Sequence, residues 1–426
     1  MKKGEILIIG GGAAGLMASC AAAKILKQNS AVLLLEGNPK PGRKLLATGN
    51  GRCNLTNLNV SPAHYHGDVS YLEPLLERYT PAAVLEAFRD MGLVTKADDE
   101  GRVYPRNLQA AAVLTALRRC AEENGVEFMI GNPAVSVQKT KRGFLVRCAD
   151  GEEIAAARCI LACGGAASPK HSCSTGSYAF ATSLGHTVTK LYPVLTQLLC
   201  KGKVCKALSG MRCPARVALL ADGREIYAES GEVQFTDTGL SGICVFGLSI
   251  YAGEFFALGM VGGKPCKALS VSLDCLPDWT FTELCGYIDE IRTAYPNRAA
   301  GELLDGLLNM RVGYALVQTA DIDPARHAKS VTAGQVQKLA SHIKAWRFDV
   351  TGTKSWQDAQ VTAGGVPLQE IDPLTMCSKK TDGLYLAGEM LNIHGDCGGY
   401  NLHFAWATGM TAGCSAAKEI VKERKR

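Results

Sequence analysis

Residues 5–9 (EILII) form a short, unbroken apolar run, the pattern of a strand buried on both faces. Three glycines follow it, and Ala13 to Lys27 then reads as a helix rich in Ala, Leu and Met. Ala31 to Leu35 is a second buried strand and ends in Glu36. The opening is therefore a strand–turn–helix–strand unit. Residues 37–70 are rich in Gly, Asn and Pro and predict extended loop. Helical patterns follow over 71–91 and 107–124, and Val126 to Ile130 predicts a strand. Ala134–Lys139 and Phe144–Cys148 alternate as a hairpin does, with the turn at Arg142-Gly143. Arg158 to Cys163 is another buried strand, ending in Gly164-Gly165.

The character changes between about 190 and 350. Short alternating strands are expected at 215–220, 225–229 and 268–274, and a helical stretch at about 280–318, with Pro277 and Pro324 near its borders. After Ala359 the glycine-rich pattern returns, with a short buried strand at Gly383–Ala387 and a final helix from about Asn401. No internal repeat is evident. At 426 residues the chain exceeds one hydrophobic core. The expected organisation is 1–190 and 356–426 as one domain, with 191–355 inserted as a β-rich substrate domain that carries a helical subdomain at about 277–325.

Gly10-x-Gly12-x-x-Gly15 stands where a dinucleotide fingerprint must stand, directly after a strand and opening a helix. Gly10 permits the tight turn, Gly12 lets backbone approach a pyrophosphate, and Gly15 lets helix and strand pack closely. Ala13 and Ala14 lie in the first helical turn, where free N–H groups and partial positive charge suit a diphosphate. Glu36, 21 positions after Gly15 and followed by Gly37, is placed to accept hydrogen bonds from an adenosine ribose. An acid there repels a 2′-phosphate and disfavours NADP at this site. Lys40, Arg43, Lys44 and Arg52 add four cations within 13 residues.

The composition is that of an ordinary globular protein, 47% hydrophobic and 20% charged. The 46 Lys+Arg against 40 Asp+Glu give a formal charge of +6, a mild excess that suits an anionic cofactor or an RNA. Lys201, Lys203, Lys206, Arg212 and Arg216 cluster in the expected insert. The 17 cysteines are scattered without a C-x-x-C pair, which points to a reducing cytoplasm. No uninterrupted run of about 18 apolar residues predicts a membrane span. No His/Cys/Asp set has metal-ligand spacing, and no Walker or G-x-S-x-G pattern is present.

Four long motifs carry a resemblance. They are Gly42–Asn57 (GRKLLATGNGRCNLTN), Gly231–Gly242 (GEVQFTDTGLSG), Val361–Val366 (VTAGGV), and Gly388-Glu-Met-Leu-Asn followed by Gly398-Gly-Tyr-Asn-Leu-His403. In this order they resemble the BaiN/YhiN-like flavoproteins, essentially end to end. The resemblance implies an α/β fold, a glutathione-reductase-like Rossmann FAD domain built from both chain ends. FAD would lie with its diphosphate on Ala14 and Gly15, its ribose on Glu36, and Arg43 and Lys44 flanking the adenosine and phosphates. Thr48, Gly49, Asn50, Gly51, Arg52, Cys53 and Asn54 would run past the flavin, and Val135 would meet the adenine through its backbone. Ala162 and Gly164 resemble a second glycine turn of FAD domains. Gly388, Glu389, Gly398, Gly399, Tyr400, Asn401 and Leu402 would hold the ribityl chain and ring edge. The family pattern carries Gln at the place of His403 and Asp at the place of Asn392.

Cys53, Tyr400 and His403 are the candidate catalytic side chains: Cys53 or Tyr400 as proton donor beside N5, His403 as a stabiliser of negative charge on the ring. His394 and Asp396 lie in the adjoining glycine-rich loop. The family implies NAD(P)H-driven reduction of an activated C=C bond. A uridine of 23S ribosomal RNA is expected first, a small steroid-like enone second, an amine oxidase third, and a flavin-bearing RNA-binding or assembly protein is the non-enzymatic alternative.

Overall fold

A computed structural model describes residues 1–29, 31–171 and 177–425. The first strand, Lys2–Ile9, is the centre of the sheet because Ile6, Leu7 and Ile8 need cover on both faces, and all three are fully buried. It pairs in parallel with Val32–Glu36 on one side and Glu153–Leu161 on the other. Glu127–Ile130 extends the first side. The second side divides along its length: residues 153–156 pair antiparallel with the hairpin strand Gly143–Cys148, whereas Cys159–Leu161 pairs in parallel with Leu384–Leu386. The last stretch of the chain thus enters the sheet one strand away from the first.

Helix packing joins the ends a second time. Ala13–Leu26 lies along Tyr400–Arg424. Their backbones touch: a Cβ on Gly409 would come within 2.5 Å of the Ala14 carbonyl oxygen, and one on Gly413 would collide with that of Ala18. Each pair is four residues apart and so shares one helix face. Nearer the start of the same helix, Trp406 is buried edge-on to Phe88 and donates from Nε1 to the Leu55 carbonyl at 2.9 Å. Residues 1–193 with 360–426 form one compact unit, and 194–359 form the other.

The second unit contains a closed barrel, in the order Leu198–Cys200, Gly239–Ser241, Arg224–Thr236, Arg212–Ala221, Leu269–Asp274 and Trp346–Thr353. Alternate positions such as Val217, Leu219, Val271 and Leu273 fill it. The Gly231–Gly242 motif is its strand–turn–strand corner, where side chains on Gly239 or Gly242 would strike the Leu198 or Glu232 carbonyl. Three further helices, Phe281–Ala294, Met310–Thr319 and Ala333–Lys344, pack with it, the first and third opened by capping boxes at Thr280/Glu283 and Thr332/Gln335.

Several expected elements differ. The helix expected over 71–91 is two, Glu73–Arg78 and Pro81–Asp90, since Pro81 lacks the N–H to continue a helix and Thr80 caps the new one. Residues 37–70 are not all loop, because Arg43–Ala47 makes one helical turn. The helices of the second unit run on past Pro324 to Lys344, which the proline signal concealed.

Valine at Gly413 is expected to destabilise the protein by roughly 1–3 kcal/mol or more through overpacking. Alanine at Gly286, in a helix interior with nothing within 4 Å of its Cβ position, leaves stability unchanged or slightly raised. Thermal melts of the two variants beside the parent check both directions.

Candidate active site

The glycine turn sits at the carboxyl ends of the parallel strands, where open α/β sheets bind ligands. Its three glycines are there for different reasons. Gly10 has φ +110°, and a side chain would strike the Ala162 carbonyl; one on Gly15 would strike the carbonyl of Gly10 itself. Internal packing therefore requires both. Gly12 has an ordinary φ of −82°, and nothing lies within 4 Å of its Cβ position. No contact among the described residues demands glycine there. Its bareness leaves a hollow at the N-terminus of Ala13–Leu26, where unpartnered N–H groups carry about half a positive charge. Gly164, φ +74°, borders open space in the same way, and Gly388 brings its backbone to within van der Waals reach of Ala14. These residues fit a diphosphate.

Glu36 is buried at the end of the second strand. One carboxylate oxygen accepts the Gly11 N–H at 2.8 Å; the other accepts the backbone and side-chain N–H groups of Asn38 at 2.7 and 2.8 Å, across Gly37. The carboxylate is held rigid by three donors, with one lone pair on the oxygen facing Gly11 remaining for a ribose hydroxyl. Arg43 donates to Asn38 Oδ1 and to the Lys170 carbonyl, both at 2.8 Å. Val135 is the extra residue of a bulge between Ala134 and Ser136, which takes its backbone out of the ladder, and it is 54% exposed. Lys44 pairs with Glu389 at 2.6 Å, and the other Glu389 oxygen accepts the Thr362 N–H at 2.9 Å.

Thr48–Asn54 turns through four left-handed residues, broken only by Arg52: Gly49, Asn50, Gly51 and Cys53 have φ of +56°, +55°, +81° and +57°. Gly49 to Arg52 are exposed, an open strip of backbone. Gly398 and Gly399, also at positive φ, lead into the N-terminus of Tyr400–Arg424, and a Cβ on Gly399 would lie 2.6 Å from the Thr56 carbonyl. The loop and the helix start therefore meet backbone to backbone. Asn401 clamps this corner by accepting the Gly395 N–H and donating to its carbonyl, both at 2.8 Å, and Leu402 packs half-buried beside it.

Two of the three catalytic candidates are withdrawn from this surface. Cys53 is fully buried, and burial pushes its thiol up to about 12, so it neither faces the groove nor gives up a proton readily. His403 is fully buried too. Its Nε2–H donates to the Tyr79 carbonyl at 2.8 Å, which leaves Nδ1 to accept from the Thr56 hydroxyl at 2.8 Å. Burial pushes this ring down to about 4, so it is a neutral latch between elements, not a cation at the flavin. A glutamine could replace it bond for bond, donating with its amide and accepting with its oxygen. Tyr400 is 5% exposed, and burial with the nearby Asp396 pushes its hydroxyl up to about 12.

Beside Tyr400 lies a cluster only half visible in the sequence. Tyr65–Gly67 pairs with Ile393–Gly395, setting His66 opposite His394. Asp396 then accepts His64 Nδ1 at 3.1 Å and His66 Nε2 at 2.8 Å. His64 stacks on Tyr400, ring centroids 4.4 Å apart and 16° from parallel. His394 stacks on His66 at 5.3 Å, and neither of its ring nitrogens has a hydrogen-bond partner among the described residues. Burial, helped by His66, pushes His394 down to about 3. His64 and His66 were missed by sequence reasoning: His64 ends the short helical turn Pro62–His64 and His66 lies on the strand Tyr65–Gly67, so no local periodicity joins them. Among the described residues no group of three or more His, Cys, Asp or Glu is placed to hold a metal.

Valine at Gly12 is expected to leave folding intact yet cut flavin affinity at least tenfold, read as bound flavin after dialysis beside the apoprotein melt. His403 makes a separate prediction. A buried neutral histidine contributes stability that is complete above its ordinary 6.5 and lost as pH falls towards about 4. On the order of 3 kcal/mol is involved. Unfolding of His403→Gln at neutral and mildly acidic pH should show a shallower acid loss than the parent, with the slope from His394 remaining.

The model of the HI0933-like protein Rossmann domain matches residues 4–415. The chain is 38% identical over 416 residues to the 3-dehydro-bile acid delta(4,6)-reductase of Clostridium scindens, covering 97% of this chain and 99% of that protein. It is 30% identical over 421 residues to the ribosomal RNA dihydrouridine synthase of Escherichia coli K12, covering 96% of each. Among solved structures, the 3-ketosteroid-delta4-(5alpha)-dehydrogenase of Rhodococcus jostii RHA1 shares the fold, with a TM-score of 0.50, 16% identity and coverage of 98% of this chain and 97% of that one. The chain belongs to the HI0933-like family and is an FAD-dependent oxidoreductase.

Proposed function

We propose that this enzyme reduces a carbon–carbon double bond conjugated to a carbonyl, in a small steroid-like enone, with NAD(P)H as the transient electron donor. The likeness that carries the reading is the one to the bile-acid reductase, which spans nearly the whole of both chains. Bound FAD supplies the two-electron chemistry, delivering hydride to the electron-poor carbon. The chain's own residues bind and orient it. Gly12 and the first turn of Ala13–Leu26 hold the diphosphate, Glu36 the ribose, Arg43 and Lys44 balance the phosphate charge, and Glu389 meets the ribityl chain. The N-terminus of Tyr400–Arg424 offers partial positive charge where the reduced ring is negative.

A second reading, a uridine of ribosomal RNA, is favoured by the 30% likeness to the dihydrouridine synthase. The two substrates share chemistry, because uracil also presents a double bond conjugated to a carbonyl. The basic cluster of the second unit supports RNA less than its residue count suggests. Arg212 is paired with Glu232 and Arg216 with Glu225, which leaves Lys201, Lys203 and Lys206 as its exposed cations without a carboxylate partner among the described residues.

Photoreduced holoenzyme mixed without oxygen with a 3-oxo-4,6-diene bile acid should recover its oxidised flavin absorbance within seconds to minutes. A uridine-containing fragment of 23S RNA should not. Reoxidation by the RNA alone transfers the assignment to the second reading. Reoxidation by neither, with oxygen consumption on addition of amines, ends the double-bond reading.

A further inference from the structure

We propose that His64, oriented by Asp396, delivers the proton that completes reduction of the double bond. This inference rests on the reading above. Saturating such a bond needs a hydride at the carbon β to the carbonyl and a proton at the α carbon, so a proton carrier must stand beside the flavin. Cys53 and His403 are sealed in the interior, and the Tyr400 hydroxyl is made a weaker acid by its surroundings. His64 differs in each respect. Its side chain is 35% exposed, and it lies against Tyr400 at the start of the helix expected to face the flavin.

The geometry selects the working atom. A carboxylate only accepts hydrogen bonds, so the 3.1 Å contact to Asp396 fixes hydrogen on His64 Nδ1. Nε2 is left as the atom that takes a proton from water and passes it on. The ring is held from several sides. Tyr400 covers one face, the Asp396 N–H donates to the His64 carbonyl at 2.9 Å, and Asn401 clamps the backbone at Gly395 and Asp396. Tyr65, between the two histidines, donates its hydroxyl to the Tyr400 carbonyl at 3.1 Å.

The charged and titratable groups around His64 agree with the role. Asp396 supplies a counter-charge for the protonated ring; Tyr400 and Tyr65 are neutral. His66 shares Asp396, and His394, stacked behind it, is kept neutral by burial and adds no cation of its own. In the step, the β carbon receives hydride and the π pair forms the new bond to hydrogen at the α carbon, taking the proton from Nε2 of the imidazolium. His64 is left neutral and the flavin oxidised; water restores the proton and NAD(P)H the electrons. Asp396 is a positioning residue.

The test follows reoxidation of photoreduced holoenzyme by the 3-oxo-4,6-diene bile acid, or by the uridine fragment if that is the probe the parent reduces. The parent rate should fall as pH rises, because the acid must be protonated. His64→Gln should retain FAD, lose roughly 10²–10⁴ in rate, and lose that limb. Asp396→Asn should keep the limb but move it to lower pH, a shift that loss of a purely structural contact does not give. An independent readout is the ¹⁵N spectrum of histidine-labelled holoenzyme, with His64 assigned through the His64→Gln spectrum, which should show His64 protonated on Nδ1 in its neutral form. His64→Gln with parental rate and pH profile, or a neutral His64 protonated on Nε2, overturns the proposal. If neither probe reoxidises the parent, the double-bond reading fails and His64 loses its role in it, whatever the spectrum shows.

Discussion

Everything at the cofactor groove depends on two helices, from opposite ends of the chain, lying closer than side chains normally allow. Gly409 and Gly413 let Tyr400–Arg424 rest on the backbone of Ala13–Leu26 at Ala14 and Ala18. That contact sets the first turn of Ala13–Leu26 against Gly409, well inside Tyr400–Arg424 rather than at its start. The glycine turn before one helix and the Gly398-Gly399 turn before the other are thereby held in one frame. Parallel pairing of Leu384–Leu386 with Glu153–Leu161 repeats the constraint within the sheet, bringing Gly388 and Glu389 beside the opening turn.

Polar groups in this frame fall into two kinds. Some are closed off and neutral. His403 spends both nitrogens on the Tyr79 carbonyl and the Thr56 hydroxyl, and Cys53 is a small buried residue under a strained left-handed turn. Others stay partly open: Lys44 with Glu389, Arg43 on Asn38, and the Asp396 carboxylate with its two imidazole partners. The distinction is one of hydration. A charge is held cheaply only where water or a partner reaches it. The first kind builds the walls, and the second is available for binding and proton transfer.

His394 stands apart. Burying a histidine with neither nitrogen satisfied costs on the order of 1–3 kcal/mol for each unmade bond. Its stacking on His66 and edge contact with Tyr192 recover part of that as ring packing. Its neutrality removes a positive charge from behind the Asp396 cluster.

By itself the sequence determined what short-range backbone geometry dictates. The glycine turn, the helix it opens and Glu36 lie within one strand–helix–strand unit, where spacing alone fixes which atoms meet. The buried strands were legible because their apolar runs admit no other environment. Only the tertiary structure decided partners far apart in the chain, such as Lys44 with Glu389 and His64 with Asp396, or that His66 would face His394 across a strand pair. It also decided that Cys53 and His403, both inside flavin motifs, turn inward. Motif spacing specifies where a residue lies along the backbone. The direction of its side chain is set by packing against elements hundreds of positions away, and that packing has no local signature.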